Sequence, residues 1–156
     1  MYTIDEKFMK KALIEAKKAF EADEVPIGAV VVKDGKIIAR AFNNREASHD
    51  PTGHAEIIAL RKAAKKLHSW RLENTTLYVT IEPCSMCAGA SVWARVGRIV
   101  YGAKEPKGGA LGSSYHLYEQ KNLNHYPDVT SGVLEAECSQ LISLYFKTKR
   151  IQKKAE

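Results

Sequence analysis

At 156 residues, with 24 Lys and Arg against 18 Asp and Glu and 45% apolar residues, the chain is long enough to bury one core without disulfides, and residues 1–156 read as one domain. Three cysteines, an odd number, argue against a disulfide-stapled secreted scaffold, and the absence of any apolar run near membrane-span length argues against a spanning chain, so the reading is cytoplasmic. The formal charge of +6 admits a polyanionic partner, although a basic balance alone speaks first of solubility.

Thr3 and Glu6 have the spacing of a capping box, and Phe8, Ala12, Ala16, Ala19 and Phe20 trace one apolar face of a helix to about Ala22. Residues 27–32 and Lys36–Phe42 are apolar runs joined by Asp34-Gly35, which predicts a hairpin. Residues 43–53 are polar and turn-rich and deliver the chain to His54. The helix predicted from there to about Leu67 turns Ile58, Ala59, Ala63 and Leu67 inward and Arg61, Lys62, Lys65 and Lys66 outward. Residues 76–81 alternate as a strand with Leu77, Val79 and Ile81 on one face, and Pro83 ends it and suits the opening of the next helix. That helix runs from Cys84 to about Arg95, and its Ala88-Gly89-Ala90 permits close approach by another element. A fourth strand at 98–102, a glycine-rich loop at 104–114, a weak fifth strand at 128–132 and a helix from Leu134 to about Lys149, with Leu141, Leu144 and Tyr145 inward, complete the chain. Trp70 and Trp93 read as packing anchors, Cys138 as a buried inert thiol, and His49, His68, His116 and His125 as surface or loop residues. Helix, hairpin, then alternating strands and helices predict an α/β fold: a three-layer helix-sheet-helix sandwich around a mixed five-stranded sheet.

Two stretches carry the chemistry: His54-Ala55-Glu56, and Pro83-Cys84-Ser85-Met86-Cys87. Residues at i and i+3 of a helix lie about 5–6 Å apart at Cβ, so Cys84 and Cys87 can grip one Zn²⁺ through Zn–S bonds of about 2.3 Å. With His54 they make three protein ligands, which leaves a tetrahedral ion its fourth position for water; such a site is catalytic in type. Glu56 lies two residues past the histidine, in the same first turn but off the ligand direction, where it can exchange protons with that water. A Cys-x-x-Cys pair alone would serve equally as a structural clip or a redox pair. His-x-Glu with Pro-Cys-x-x-Cys, complete in this chain, is the signature of the zinc nucleobase deaminases.

The whole chain resembles the bacterial tRNA-specific adenosine deaminases of the cytidine deaminase-like superfamily. The resemblance extends to Val25-Pro26-Ile27-Gly28-Ala29, Asn43, Ser69-Trp70-Arg71-Leu72, Leu77-Tyr78-Val79-Thr80, Tyr101-Gly102-Ala103, Asn124-His125 and Tyr145-Phe146 before a basic tail. It implies a cytidine deaminase-like sandwich, a homodimer, one zinc per chain, and conversion of adenosine to inosine at the wobble position of a tRNA anticodon, chiefly an arginine tRNA. It also implies that Asn43 hydrogen-bonds the base edge; without the resemblance Asn43 reads as a turn former. The backbone N–H of Ala55, at a helix start, is a further candidate polar contact.

The tail at about 145–156 holds Lys147, Lys149, Arg150, Lys153 and Lys154 beside Tyr145 and Phe146, which suits an RNA backbone and an unstacked base but equally a solvated helix end. Two positions depart from the family pattern. Gly53 replaces the common alanine and is expected to loosen the helix start, and Glu105 replaces the common aspartate in the loop that also carries Lys107. Glu105 either accepts from a ribose 2′-hydroxyl or is a loop charge paired with a lysine. A free-base or nucleoside deaminase for guanine or cytosine would share the zinc site, and a non-catalytic zinc-stabilised RNA-binding protein would share its ligands without needing Glu56.

Overall fold

The computed structural model describes residues 1–155, so Glu156, the last residue of the expected basic tail, lies outside the described residues. The first helix, α1 (Ile4–Glu21), opens on the reciprocal Thr3–Glu6 capping box and leads into β1 (Gly28–Lys33) and β2 (Lys36–Phe42). Asp34 and Gly35 both hold positive φ, 51° and 75°, the backbone of a tight hairpin turn whose twist matches its strands. There follow α2 (Arg45–Ser48), α3 (Ala55–Leu67), β3 (Thr75–Ile81), α4 (Ser85–Trp93), β4 (Arg98–Ala103), a 3-10 turn at Leu117–Glu119, β5 (Asp128–Thr130) and α5 (Glu135–Ala155).

The sheet order is β2-β1-β3-β4-β5. Pairing is antiparallel between β2, β1 and β3 and parallel from β3 through β4 to β5, so the mixed sheet expected from the element order is present. Parallel neighbours need a crossover, and α4 supplies it between β3 and β4. Helices cover both faces, which is why β1 carries Ala29, Val30, Val31 and Val32 as an unbroken buried apolar run. On one side Ala59, Leu60 and Ala63 of α3 pack on Ala29, Val31, Leu77, Val79 and Ile99; on the other, Met9, Ala12 and Leu13 of α1 and Cys138 of α5 pack on Val30, Val32, Tyr78 and Val100.

Several expectations are corrected. Ile81 packs with the second of these clusters, not with Leu77 and Val79. The polar 43–53 segment contains α2, a single turn held because the buried Glu24 carboxylate accepts from Glu46 N–H (3.0 Å) and Ala47 N–H (2.8 Å). Helix α5 continues to Ala155, six residues past the expected end, and its Leu144 is exposed. Trp70 and Trp93 are 58% and 67% exposed, so neither anchors the core. The guanidinium groups of Arg71 and Arg95 lie 4.8 and 5.6 Å from the Trp70 ring, which puts these cations at its edge of the surface. The close approach expected at the small-residue run is made at Ala88, fully buried with its carbonyl accepting from the Tyr118 hydroxyl at 2.8 Å, and not at Gly89, where a Cβ would meet nothing within 4 Å.

Candidate active site

Both halves of the site use one device, a chain that leaves a strand or turn and enters a helix with a ligand at the N-cap. His54 (φ −80°, ψ 147°) caps α3 and Cys84 (φ −74°, ψ 175°) caps α4, each in extended conformation and neither spending its side chain on a capping bond. Cys87 lies three residues on, buried in the first turn of α4. The His54 Nδ1 atom stands 3.6 Å from Cys84 Sγ and 3.5 Å from Cys87 Sγ. Bonds of about 2.3 Å to sulfur and about 2.05 Å to nitrogen at a tetrahedral angle require a nitrogen–sulfur separation of about 3.6 Å. The three donors therefore fit one tetrahedral metal ion, and their all lying within 4.8 Å of one another supports the same reading.

The three donors perturb one another's protonation. A hydrogen bond from Cys87, reinforced by one from His54, pulls the Cys84 thiol down to about 4. Cys87 is pushed up by its hydrogen bond to Cys84, by burial and by the Glu56 charge. His54 is raised, chiefly by its hydrogen bond to Cys84. Glu56 is 3% exposed, contacts Cys87, and is lifted to about 7 by burial.

Around this cluster the other expected residues fall into three groups. Asn43 is 5% exposed; its amide donates to Val25 O at 3.4 Å, while its buried Oδ1 has no partner among the described residues. Its neighbour Asn44 donates N–H to Gly53 O at 3.0 Å, which ties this strand end to the residue before His54. Ala55 is buried at the first position of α3. At Gly53 a Cβ would sit 2.8 Å from Asn44 Oδ1 and 3.0 Å from Asp50 O, so glycine lets α2 close against it.

The second group is the 104–114 loop. Glu105 accepts from Lys107 N–H at 3.0 Å, and Lys107 is exposed. The loop is laid against the candidate-ligand segment itself, with Ala110 N–H donating to Pro83 O at 2.8 Å and Gly109 bridging Cys84. The third group is the tail. Tyr145 is buried between the rings of Phe20 and Phe146 and donates to Asp23 O, Lys149 pairs with the Asp23 carboxylate at 2.7 Å, and Phe146 and Arg150 are exposed. The tail is thus docked on the end of α1, next to the Glu24 that caps α2, and not on the ligands.

Besides Glu15, which pairs with Lys18 within α1, two buried carboxylates escaped the sequence reading, Glu24 and Glu82. The available signal was their position: each stands beside the Val-Pro or Pro-Cys step of a motif, where a strand begins or ends and a solvated acid has no place.

A helix-sheet-helix sandwich whose paired helix starts gather His, Cys, Cys and Glu defines a hydrolytic deaminase. The family model for MafB19-like deaminases matches residues 4–150. A Bacillus subtilis (strain 168) tRNA-specific adenosine deaminase is 52% identical over 153 residues, 98% of this chain and 95% of that one. A solved tRNA:A34 deaminase superposes with a TM-score of 0.84 at 49% identity, covering 86% of this chain and 98% of its own; a guanine deaminase from Bacillus subtilis reaches 0.63 at 40%, over 76% of each. The chain belongs to the tRNA-specific adenosine deaminases.

Proposed function

We propose that this protein, in the cytoplasm and as a homodimer, converts adenosine to inosine at the wobble position of a tRNA anticodon, chiefly that of an arginine tRNA, with one Zn²⁺ per chain held by His54, Cys84 and Cys87. The observation that carries the reading is the tetrahedral spacing of those three donors beside the buried Glu56. When bound, Zn²⁺ supplies Lewis acidity that makes water nucleophilic at neutral pH. Glu56 takes the proton that water gives up as its oxygen adds to C6 of the base, and delivers it to the ring nitrogen N1. The proton remaining on the new C6 hydroxyl then passes through Glu56 to the exocyclic amine, the C6–N bond breaks, and ammonia leaves as the carbonyl of inosine forms. One side chain acts as base and acid in turn, and its burial keeps bulk water from competing for the proton.

Asn43 offers its buried Oδ1, which has no partner among the described residues, to an N–H of the base, and the Ala55 N–H is a further donor at the start of α3. Glu105 and Lys107, in the loop bonded to Pro83, face the flanking nucleotide, with Glu105 accepting from a ribose 2′-hydroxyl. Phe146 and Arg150 meet the RNA farther out, on the platform that Tyr145 anchors. The higher likeness to the tRNA:A34 deaminase than to the guanine deaminase supports an RNA substrate over a free base.

The test uses an RNA anticodon stem-loop, free adenosine, guanine and cytidine as substrates, with Glu56→Ala and Cys87→Ser as variants. Glu56→Ala is expected to keep zinc and stem-loop affinity while deamination falls by at least roughly 10²–10⁴, and Cys87→Ser to lose metal and activity together. Near-normal inosine formation by Glu56→Ala, or turnover of guanine alone, overturns the proposal.

A further inference from the structure

Glu82 is a buried carboxylate, 2% exposed, that the deamination steps do not use. An ionised group in such a place is costly unless hydrogen bonds satisfy its oxygens, and here one segment of chain supplies every donor among the described residues. Oε1 accepts from Glu105 N–H at 3.2 Å and from the Ser113 hydroxyl; Oε2 accepts from Leu111 N–H at 2.9 Å and from Ser113 N–H at 3.1 Å. The donors come from both ends of the 104–114 loop, so a single side chain draws the loop closed. Gly109 adds a second observation, since a Cβ there would collide with the Glu82 carboxyl group; the loop backbone is packed directly on it. The residues after Glu82 continue the attachment, with Pro83 O accepting from Ala110 N–H at 2.8 Å and Cys84 bridging Gly109.

We propose that Glu82 is a positioning residue that fixes the 104–114 loop relative to the ligand Cys84, and through it the placing of Glu105 and Lys107 against the RNA, so that it governs substrate binding and not the proton transfers. The inference rests on the reading that this loop touches RNA. Glutamine at position 82 keeps the volume but replaces one acceptor oxygen by a donor, so one pair of anchors is lost. Glycine 109 gives an independent handle from the opposite side, and Ser113→Ala removes a single donor from the exposed loop.

The experiment measures KM and kcat on an RNA anticodon stem-loop, together with zinc content, for the zinc-loaded full chain carrying Glu82→Gln, Gly109→Ala, Ser113→Ala, or the double substitution Glu105→Ala/Lys107→Ala. For Glu82→Gln and Gly109→Ala, KM is expected to rise about tenfold or more with kcat within about threefold and zinc still at one per chain; Ser113→Ala should raise KM less. A KM within about twofold of the parent in both Glu82→Gln and Gly109→Ala overturns the inference, as does loss of zinc in step with kcat. If Glu82→Gln does not fold, Gly109→Ala and Ser113→Ala decide by the same criterion. Raised KM in the double variant with unchanged KM in Glu82→Gln overturns the positioning role alone, whereas unchanged KM in the double variant overturns the loop–RNA contact beneath it.

Discussion

Asp5 shows how one side chain can tie distant parts of the chain. It lies in the first turn of α1, where a carboxylate meets the favourable end of the helix dipole, and there it takes both guanidinium nitrogens of Arg98 on β4 and the Tyr78 hydroxyl at 2.7 Å. Arg98 in turn donates to the Thr130 hydroxyl on β5. The Arg98 hydrogen bonds hold the Asp5 carboxyl below its ordinary 3.8, so the bonded pair stabilises the fold at every pH above that value, and the contribution is lost as pH falls through the lower folded value. Asp5→Asn is therefore expected to lower the thermal midpoint near neutral pH, by an amount equivalent to about 1 kcal/mol for this partly exposed pair. The gap from the parent should narrow below pH 3.8. A gap that stays constant from pH 7 to pH 3 would show that packing, not charge, is what the substitution removes. The ionisable character of Asp5 is plain in the sequence, but its partner lies 93 residues away and no local pattern points to it.

At the level of elements, the helices and strands follow their own periodicities, and the surprises sit where elements touch. Gly28 opens β1 directly beneath α1: a Cβ there would collide with Ala12 O and Ala16 N and stand 2.9 Å from Glu15 C. All three are backbone atoms of a helix that cannot give locally. Gly28→Ala is expected to cost about 2–3 kcal/mol in urea unfolding, well above the entropic gain of alanine over glycine. Unchanged stability would mean that α1 can slide, and with it the Asp23–Glu24 segment. The same logic explains α2. Its four residues look like loop in sequence because they have no apolar period, and they become helical only because Glu24 satisfies two of their N–H groups. His49 and His68 end α2 and α3 in the left-handed conformation, a role visible only in the backbone.

Across the whole molecule, α5 links the basic tail to the rest. Tyr145 and Lys149 fasten it to Asp23, which leaves Lys147, Arg150, Lys153 and Lys154 as tail cations without an acidic partner among the described residues, open to an RNA phosphate chain. Truncation after Phe146 should weaken stem-loop affinity and flatten its salt dependence by roughly 0.7–0.9 in slope per lost phosphate contact. A truncated chain that binds with the same slope would leave the tail as a solvated helix end. No helix among the described residues is long and apolar enough to cross a membrane.

The sequence by itself determined the candidate donor set, because residue identity and local spacing are properties of a few adjacent residues: Cys84 and Cys87 share a helical turn, and Glu56 follows His54 within another. It also determined the element order, since apolar period and turn chemistry are local. Only the tertiary structure brought His54 to within 3.6 Å of a cysteine 30 residues on, turned Trp70 and Trp93 outward, and made Glu24 and Glu82 the supports of the segments beside the site. Burial and hydrogen-bond partnership depend on which distant segments arrive at a surface, and that is decided by the packing of the whole chain.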